Sequence, residues 1–302
     1  FSSNNPENFL FPFMEGVIAN LKTLGKIRTS ETYAATLCSF RRFREDKDVT
    51  LDDMDSDMMM AYEAYLKNNG VSPNSSSFYM RNLRAVYNRA VEKELTPQRF
   101  PFKHVYTGVD KTVKRAVPLK VIKRIKEMDF SMNPTFDFAR DMFLISFYTR
   151  GMSFVDMAYL RKKDLQNGVL SYRRRKTGQQ LFIKWEKCMQ EIVDKYDTSQ
   201  SNYLLPIIKP FGDIDERTQY IYAAHNINRC LKIIGKELGL SVSLTLYVAR
   251  HAWASIAKSK NVPLSVISEG MGHDSEATTR IYLASLDTVA IDKANSMILK
   301  SL

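Results

Sequence analysis

Residues 136–149, FDFARDMFLISFYT, are apolar almost all the way round a helix, and a helix without a polar face has to lie at the centre of a core. The segments that enclose it must come from the chain on either side. Upstream, 119–128 has a helical pattern. Downstream, GVLSYRRRKTGQQLFIKW alternates Leu170, Tyr172 and Arg174, then Leu181, Ile183 and Trp185 after Thr177-Gly178, which is the pattern of a β-hairpin with Lys176 at its tip. Helical patterns return at about 186–196, 217–238, 246–259, 263–270, 275–284 and 288–300, each bounded by Gly, Pro, Asn or Asp. This half of the chain is therefore expected to be mostly helical with a small antiparallel sheet.

The first hundred residues read as four helices separated by polar breaks. Residues 8–23 space Phe9, Phe13, Val17 and Leu21 on one face, and a second helix follows a Thr29-Ser30 cap with Tyr33, Leu37 and Phe40 aligned. A third covers roughly 54–68. A fourth, roughly 74–94, opens with Ser75, Ser76 and Ser77 and repeats Tyr79, Leu83, Val86 and Ala90. From about 95 to 117 the chain turns basic and is punctuated by Pro97 and Pro101, with Pro118 closing it, as an interdomain connection would be. The expected organisation is a helical bundle at 1–107, a basic linker at 108–117 and a mixed, mostly helical domain at 118–302. The fold class is mainly α, of the α+β kind.

The 302 residues hold 44 Lys and Arg against 33 Asp and Glu, a net charge of +11 that favours a polyanionic partner. Arg41 and Arg42 end the second helix, Arg81 and Arg84 lie on the fourth, Lys111, Lys114 and Arg115 fall in the linker, and Arg173, Arg174 and Arg175 precede the hairpin lysine. All ten are candidates for phosphate contacts with such a partner. Cys38, Cys188 and Cys230 form no CxxC pair, so neither a disulfide framework nor a zinc ribbon is expected. With no long apolar run and no signal-peptide layout, a cytoplasmic protein is expected. Lys176-Thr177-Gly178 and Ser255-Ile-Ala-Lys258 imitate the KTG and SxxK motifs of penicillin-binding enzymes, but they occur in the wrong order and SDN is absent. Phosphate-loop, dinucleotide and HExxH zinc signatures are missing, so no cofactor and no metal are expected.

Four stretches of the second half remain: RGMSFVDMAYL (150–160), RRRKTG (173–178), LTLYVARHAWAS (244–255) and MGHDSEATTRIYLA (271–284). In this order and spacing they resemble the boxes of the tyrosine recombinase (phage integrase) family, whose pattern is TGxRxxE, a hairpin Lys, HxxRH, and GH followed nine residues later by Tyr. Gly272-His273 and Tyr282 reproduce that last spacing, and Arg250-His251 supplies the end of the HxxRH box. The resemblance extends over roughly residues 8–300. It implies that Tyr282 is the nucleophile forming a 3′-phosphotyrosyl link, and that Arg250 and His273 hold the scissile phosphate. It also implies that Lys176 protonates the departing oxygen, while His251 buttresses the site.

Chemistry asks for the same set: breaking a phosphodiester without metal requires a nucleophile, cations on the non-bridging oxygens and an acid for the leaving hydroxyl. Two positions depart from the family pattern. Aligning Asp156 with the family acid puts Ser153 where its first arginine belongs, and Ser153-Phe-Val-Asp156 reads by itself as a helix-capping pattern. Arg150, three residues upstream, is the expected substitute, with Arg173, Arg174 and Arg175 as the other possibilities. Tyr247 stands where HxxR has its histidine; a phenol can donate to phosphate but cannot act as a base near neutral pH.

The subgroup that resemblance suggests is the integrases of mobile elements such as conjugative transposons. It further implies that the N-terminal bundle is a core-binding domain closing on DNA opposite the catalytic domain. Val289, Ile291, Met297, Ile298 and Leu302 would form a tail helix docking on a neighbour in a tetramer, and accessory DNA-bending proteins are possible partners. The competing expectations are a cleavage-deficient DNA-binding regulator, given Ser153 and Tyr247, and a type IB topoisomerase.

Overall fold

The computed structural model describes residues 8–110, 116–210, 213–283 and 296–299, without the side chains of Ile281 and Tyr282. Lys111, Lys114 and Arg115 lie outside the described residues, as do Val289, Ile291 and Leu302 of the expected tail helix. Two units emerge, 1–112 and 113–302, each with its own apolar core.

In the first unit, helices α1 (Leu10–Thr23), α2 (Ile27–Phe43), α3 (Ser56–Asn68) and α4 (Pro73–Glu92) pack around fully buried Phe40, Tyr62, Leu83 and Tyr87. The Tyr62 phenol, buried among these helices, donates to Ser39 Oγ at 2.7 Å, which satisfies the polar end of an otherwise apolar ring. Asp55 caps α3 and Ser72 caps α4, with Pro73 at its first position. The Thr29-Ser30 cap is a correction. Gly25, at φ +70°, turns the chain directly out of α1, so α2 begins at Ile27 with Lys26 at the N-cap. Ser30 lies inside the first turn and its hydroxyl donates back to Ile27 O at 2.7 Å. The stretch after α4 packs on this unit over 95–110. Phe102 and Val105 enter its core, Thr96 Oγ1 donates to Asp52 Oδ1 at 2.7 Å, and Tyr106 N–H donates to Glu63 Oε1 at 2.7 Å.

The second unit is built around α6 (Pro134–Tyr148), in which every residue from Ala139 to Ser146 is buried. Burial on all sides leaves Arg140 and Asp141 no route to water, so they pair. Asp141 Oδ1 accepts from Arg140, while its Oδ2 accepts from Lys195 Nζ at 2.5 Å and the Tyr196 phenol at 2.8 Å. Around α6 lie α5 (Leu119–Glu127), α7 (Phe154–Ala158), α8 (Lys187–Val193), α9 (Glu216–Glu237) and α10 (Leu246–Ser259), followed by α11 (Leu264–Gly270) and α12 (Glu276–Leu283).

The expected hairpin is present as β2 (Val169–Arg173) and β3 (Gln180–Lys184), paired antiparallel with Tyr172 opposite Leu181. A short β1 (Leu165–Gln166) adds a third strand that the alternation pattern is too brief to reveal. Leu170, Tyr172, Leu181 and Ile183 face the core as their period-two spacing requires. Residues 203–208 form no strand or helix and still bury Tyr203, Leu204, Leu205, Ile207 and Ile208. Of the C-terminal segment, 296–299 is helical, with Met297, Ile298 and Leu299 exposed. Among the described residues, no helix is long and apolar enough to cross a membrane.

Candidate active site

Three consecutive residues in the turn between α11 and α12 organise the site. The carbonyl of Met271 accepts from Arg250 Nη2 at 2.7 Å, the carbonyl of Gly272 accepts from Arg174 Nη1, and the next residue is His273. Two guanidiniums that are 76 positions apart in sequence are thereby set on adjacent carbonyls of one turn. Arg250 is buried on α10, and its Nη1 also donates to Gly151 O at 2.7 Å, in the turn after α6. Arg174 continues the inward alternation of Leu170 and Tyr172, which is why it is buried while Arg173 and Arg175 are exposed.

Two glycines make these approaches possible. Gly151 sits at φ +76°, and a Cβ there would fall 2.7 Å from Arg250 Cα, a backbone atom that cannot give way. Gly272 sits at φ +65°, and a Cβ there would press on Leu181 and on Arg174 Cδ at 3.1 Å.

His273 Nδ1 lies 2.6 Å from the hydroxyl of Thr279, a fully buried residue of α12. Thr279 was not singled out from sequence, where it is one of two adjacent threonines; its burial is what distinguishes it. Burial of the imidazole, reinforced by the positive charges of Arg250, Arg174 and Lys176, pushes the His273 pKa down to about 4. His273 is therefore neutral near pH 7. In the unfolded chain the ring regains an ordinary pKa near 6.5, so between about pH 6.5 and 4 the unfolded state binds the extra proton. Stability tied to this group is complete above that window and is lost as pH falls through it. Denaturant midpoints at pH 7 and pH 5 should show a larger acid-side loss for wild type than for His273→Gln; equal losses would mean that the ring is not held neutral.

Ser153 caps α7: its hydroxyl donates to Asp156 Oδ2 at 2.6 Å and accepts from Asp156 N–H at 3.4 Å. Asp156, buried, takes the N–H of Arg175 on Oδ1 at 2.9 Å, so the capping pair also holds the loop of 174–179 that exposes Lys176. Arg150 adopts φ +62° at the end of α6, and its Cδ would lie 3.6 Å from a Cβ on Gly270. Its charge, with those of Arg250 and Arg174, acts on the buried Tyr172 phenol. Tyr247, 59 % exposed, meets the buried His251 edge-on at 4.5 Å along α10. Tyr282 lies on the last turn of α12, three residues after Thr279; its side chain is outside the described residues. Among the described residues no carboxylate lies within ion-pair distance of Arg174 or Lys176, and no cluster of three metal-ligating side chains occurs.

Of the candidate DNA contacts in the first unit, Arg41 is already paired with Glu15 at 2.6 Å and stacked on Phe11. Arg42 and Arg84 are exposed, Arg84 Nη1 donates to Thr107 Oγ1 at 3.3 Å, and Arg81 is half-buried. Arg173 bonds Gly178 O at 2.8 Å across the base of the hairpin loop.

Comparison with known proteins bears on the family and the fold. A family model described as the phage integrase SAM-like domain matches residues 9–105, and one described as the phage integrase family matches residues 120–288. The fold is similar to that of a lambda integrase dimer bound to a COC′ core site, with a TM-score of 0.69, 16% identity and coverage of 91% of this chain and 77% of that one. It is also similar to the XerH site-specific recombinase bound to a palindromic difH substrate, at 0.65 and 17% over 94% and 83% of the two chains. A third similar structure is the Tn1549 transposon integrase in complex with a circular intermediate DNA, at 0.62 and 15% over 89% and 94%. A comparison with curated protein sequences yields no match.

Proposed function

This chain belongs to the phage integrase family of tyrosine site-specific recombinases, and from that premise we propose that it integrates and excises a mobile element by cutting and rejoining double-stranded DNA. One observation carries the site assignment: two buried guanidiniums are fixed on adjacent carbonyls of the turn that presents His273, and among the described residues no carboxylate lies within ion-pair distance of Arg174. A desolvated cation without a counter-ion favours an anion in its place, and a phosphodiester supplies one.

In this reading the scissile phosphate lies against Arg250, Arg174 and His273. The guanidinium forks bind the non-bridging oxygens, and stabilise them more as charge builds in the pentacoordinate transition state. His273, with Nδ1 accepting from Thr279, donates from Nε2 while remaining neutral. The Tyr282 oxygen attacks phosphorus, the bond to the 5′ oxygen breaks, and Lys176 gives that oxygen a proton. The 3′-phosphotyrosyl bond conserves the energy of the phosphodiester, so a 5′ hydroxyl can reverse the reaction without a cofactor.

The arginine missing at Ser153 is replaced by Arg174. Arg174 bonds the turn that carries His273, and its charge acts on that ring. Ser153 and Asp156 serve instead to hold the loop carrying Lys176. Tyr247 and His251 line α10 beside Arg250, with His251 as buttress. The partners are DNA and further copies of the chain. The DNA-bound dimer of lambda integrase and its tetramer on a Holliday junction are the similar structures that support this assembly. The exposed Met297, Ile298 and Leu299 are the surface through which the C-terminal segment would dock on a neighbour.

The test is covalent trapping. Incubated with nicked suicide DNA from its own element's end, without metal or ATP, the protein should form an SDS-resistant adduct. Salt-sensitive binding to a verified site with no adduct would establish a DNA-binding regulator instead.

A further inference from the structure

The loop between β2 and β3 must hold Lys176 at a reacting oxygen, yet a lysine side chain is a flexible four-carbon stem. Any precision has to come from the backbone beneath it. Arg174 closes the base of the loop, with its N–H donating to Gln179 O and its carbonyl accepting from Gly178 N–H, both at 2.8 Å. On the other side is Arg175, the residue directly before Lys176. Its N–H donates to Asp156, and its guanidinium carbon lies 4.0 Å from the centre of the Tyr159 ring. Tyr159 is in turn seated edge-on against Tyr203, whose phenol donates to Glu216 at 2.5 Å. A chain of contacts thus runs from α9 through two aromatic rings to the residue adjoining Lys176.

We propose that Tyr159 is a positioning residue for Lys176: its ring seats Arg175 and so fixes the backbone from which the lysine delivers its proton. The proposal rests on reading Lys176 as the general acid. In that step the phenolic oxygen of Tyr282 bonds to phosphorus as the bond to the 5′ oxygen breaks. The Lys176 ammonium transfers a proton to the departing oxygen and becomes neutral, and the phenolic proton passes to water.

The test uses two DNAs of the same sequence, one ordinary and one with sulfur in place of the bridging 5′ oxygen at the cleavage site, because a thiolate leaves without an acid. Tyr159→Leu keeps apolar bulk without the aromatic face. It should slow cleavage of ordinary DNA by about 10- to 100-fold and leave the sulfur substrate within roughly 3-fold of wild type. Tyr159→Phe, which keeps the ring, should restore ordinary cleavage. Arg175→Ala should reproduce Tyr159→Leu, and the double variant should be no slower than either single one. Lys176→Ala tests the premise separately. If its defect is not relieved by sulfur, the acid assignment falls and the positioning role falls with it. If sulfur relieves Lys176→Ala while Tyr159→Leu is slow on both substrates, or is normal on ordinary DNA, the positioning role alone is overturned.

Discussion

Tyr282→Phe should bind its site as tightly as wild type and form no covalent adduct, a loss of at least about 10⁴-fold in cleavage set by the detection limit. The change removes one hydroxyl oxygen and keeps the ring, so the binding measurement separates a missing nucleophile from a damaged fold. A free phenol near pH 7 is almost entirely protonated, with a pKa of about 10, and becomes a competent nucleophile only as its proton leaves during attack. The cations gathered near His273 favour that loss. Adduct formation by Tyr282→Phe would send the search to another of the fifteen tyrosines.

Arg174→Ala carries the next largest expected effect: cleavage reduced by about 10²- to 10³-fold, the scale of removing one preorganised donor from a developing oxyanion. Arg150→Ala should cleave within a few-fold of wild type, which is the comparison that decides which arginine stands in for the one absent at Ser153. Because Arg174 also bonds the Gly272 carbonyl, Arg174→Lys is the companion variant. It keeps the charge and loses the planar fork, so it should recover only part of the rate while site binding is maintained. Normal cleavage by Arg174→Ala together with a large loss in Arg150→Ala would reverse the assignment.

Local rules account for much of what the structure contains. Helices α6 and α10 begin and end within about two residues of their expected limits, because each has an unambiguous apolar pattern. The hairpin strands follow from alternation and a Thr-Gly turn. The start of α2 was misplaced because a Thr-Ser pair resembles a cap wherever it occurs, and only the tight Gly25 turn determined that the helix had already begun. Strand β1 has two residues, too few for any periodicity, and residues 203–208 are held in the core by the tertiary partners of Tyr203 and Leu204 without regular structure.

The site divides along the same line. The sequence by itself carried the resemblance to the family boxes, which points to the candidate nucleophile, the Arg250-His251 pair, the hairpin lysine and Gly272-His273, since those residues lie at fixed spacings along short segments. It also placed Arg174 on the same strand face as Leu170 and Tyr172, though not what that face would meet. Only the tertiary structure decided that Arg174 and Arg250 bond neighbouring carbonyls, that Thr279 rather than Thr278 holds His273, and that Tyr159 lies under Arg175. The physical reason is range. Caps, turns and strand alternation are set by interactions over a few residues, whereas a guanidinium buried against a carbonyl 98 positions away depends on how separate helices and a hairpin pack around α6.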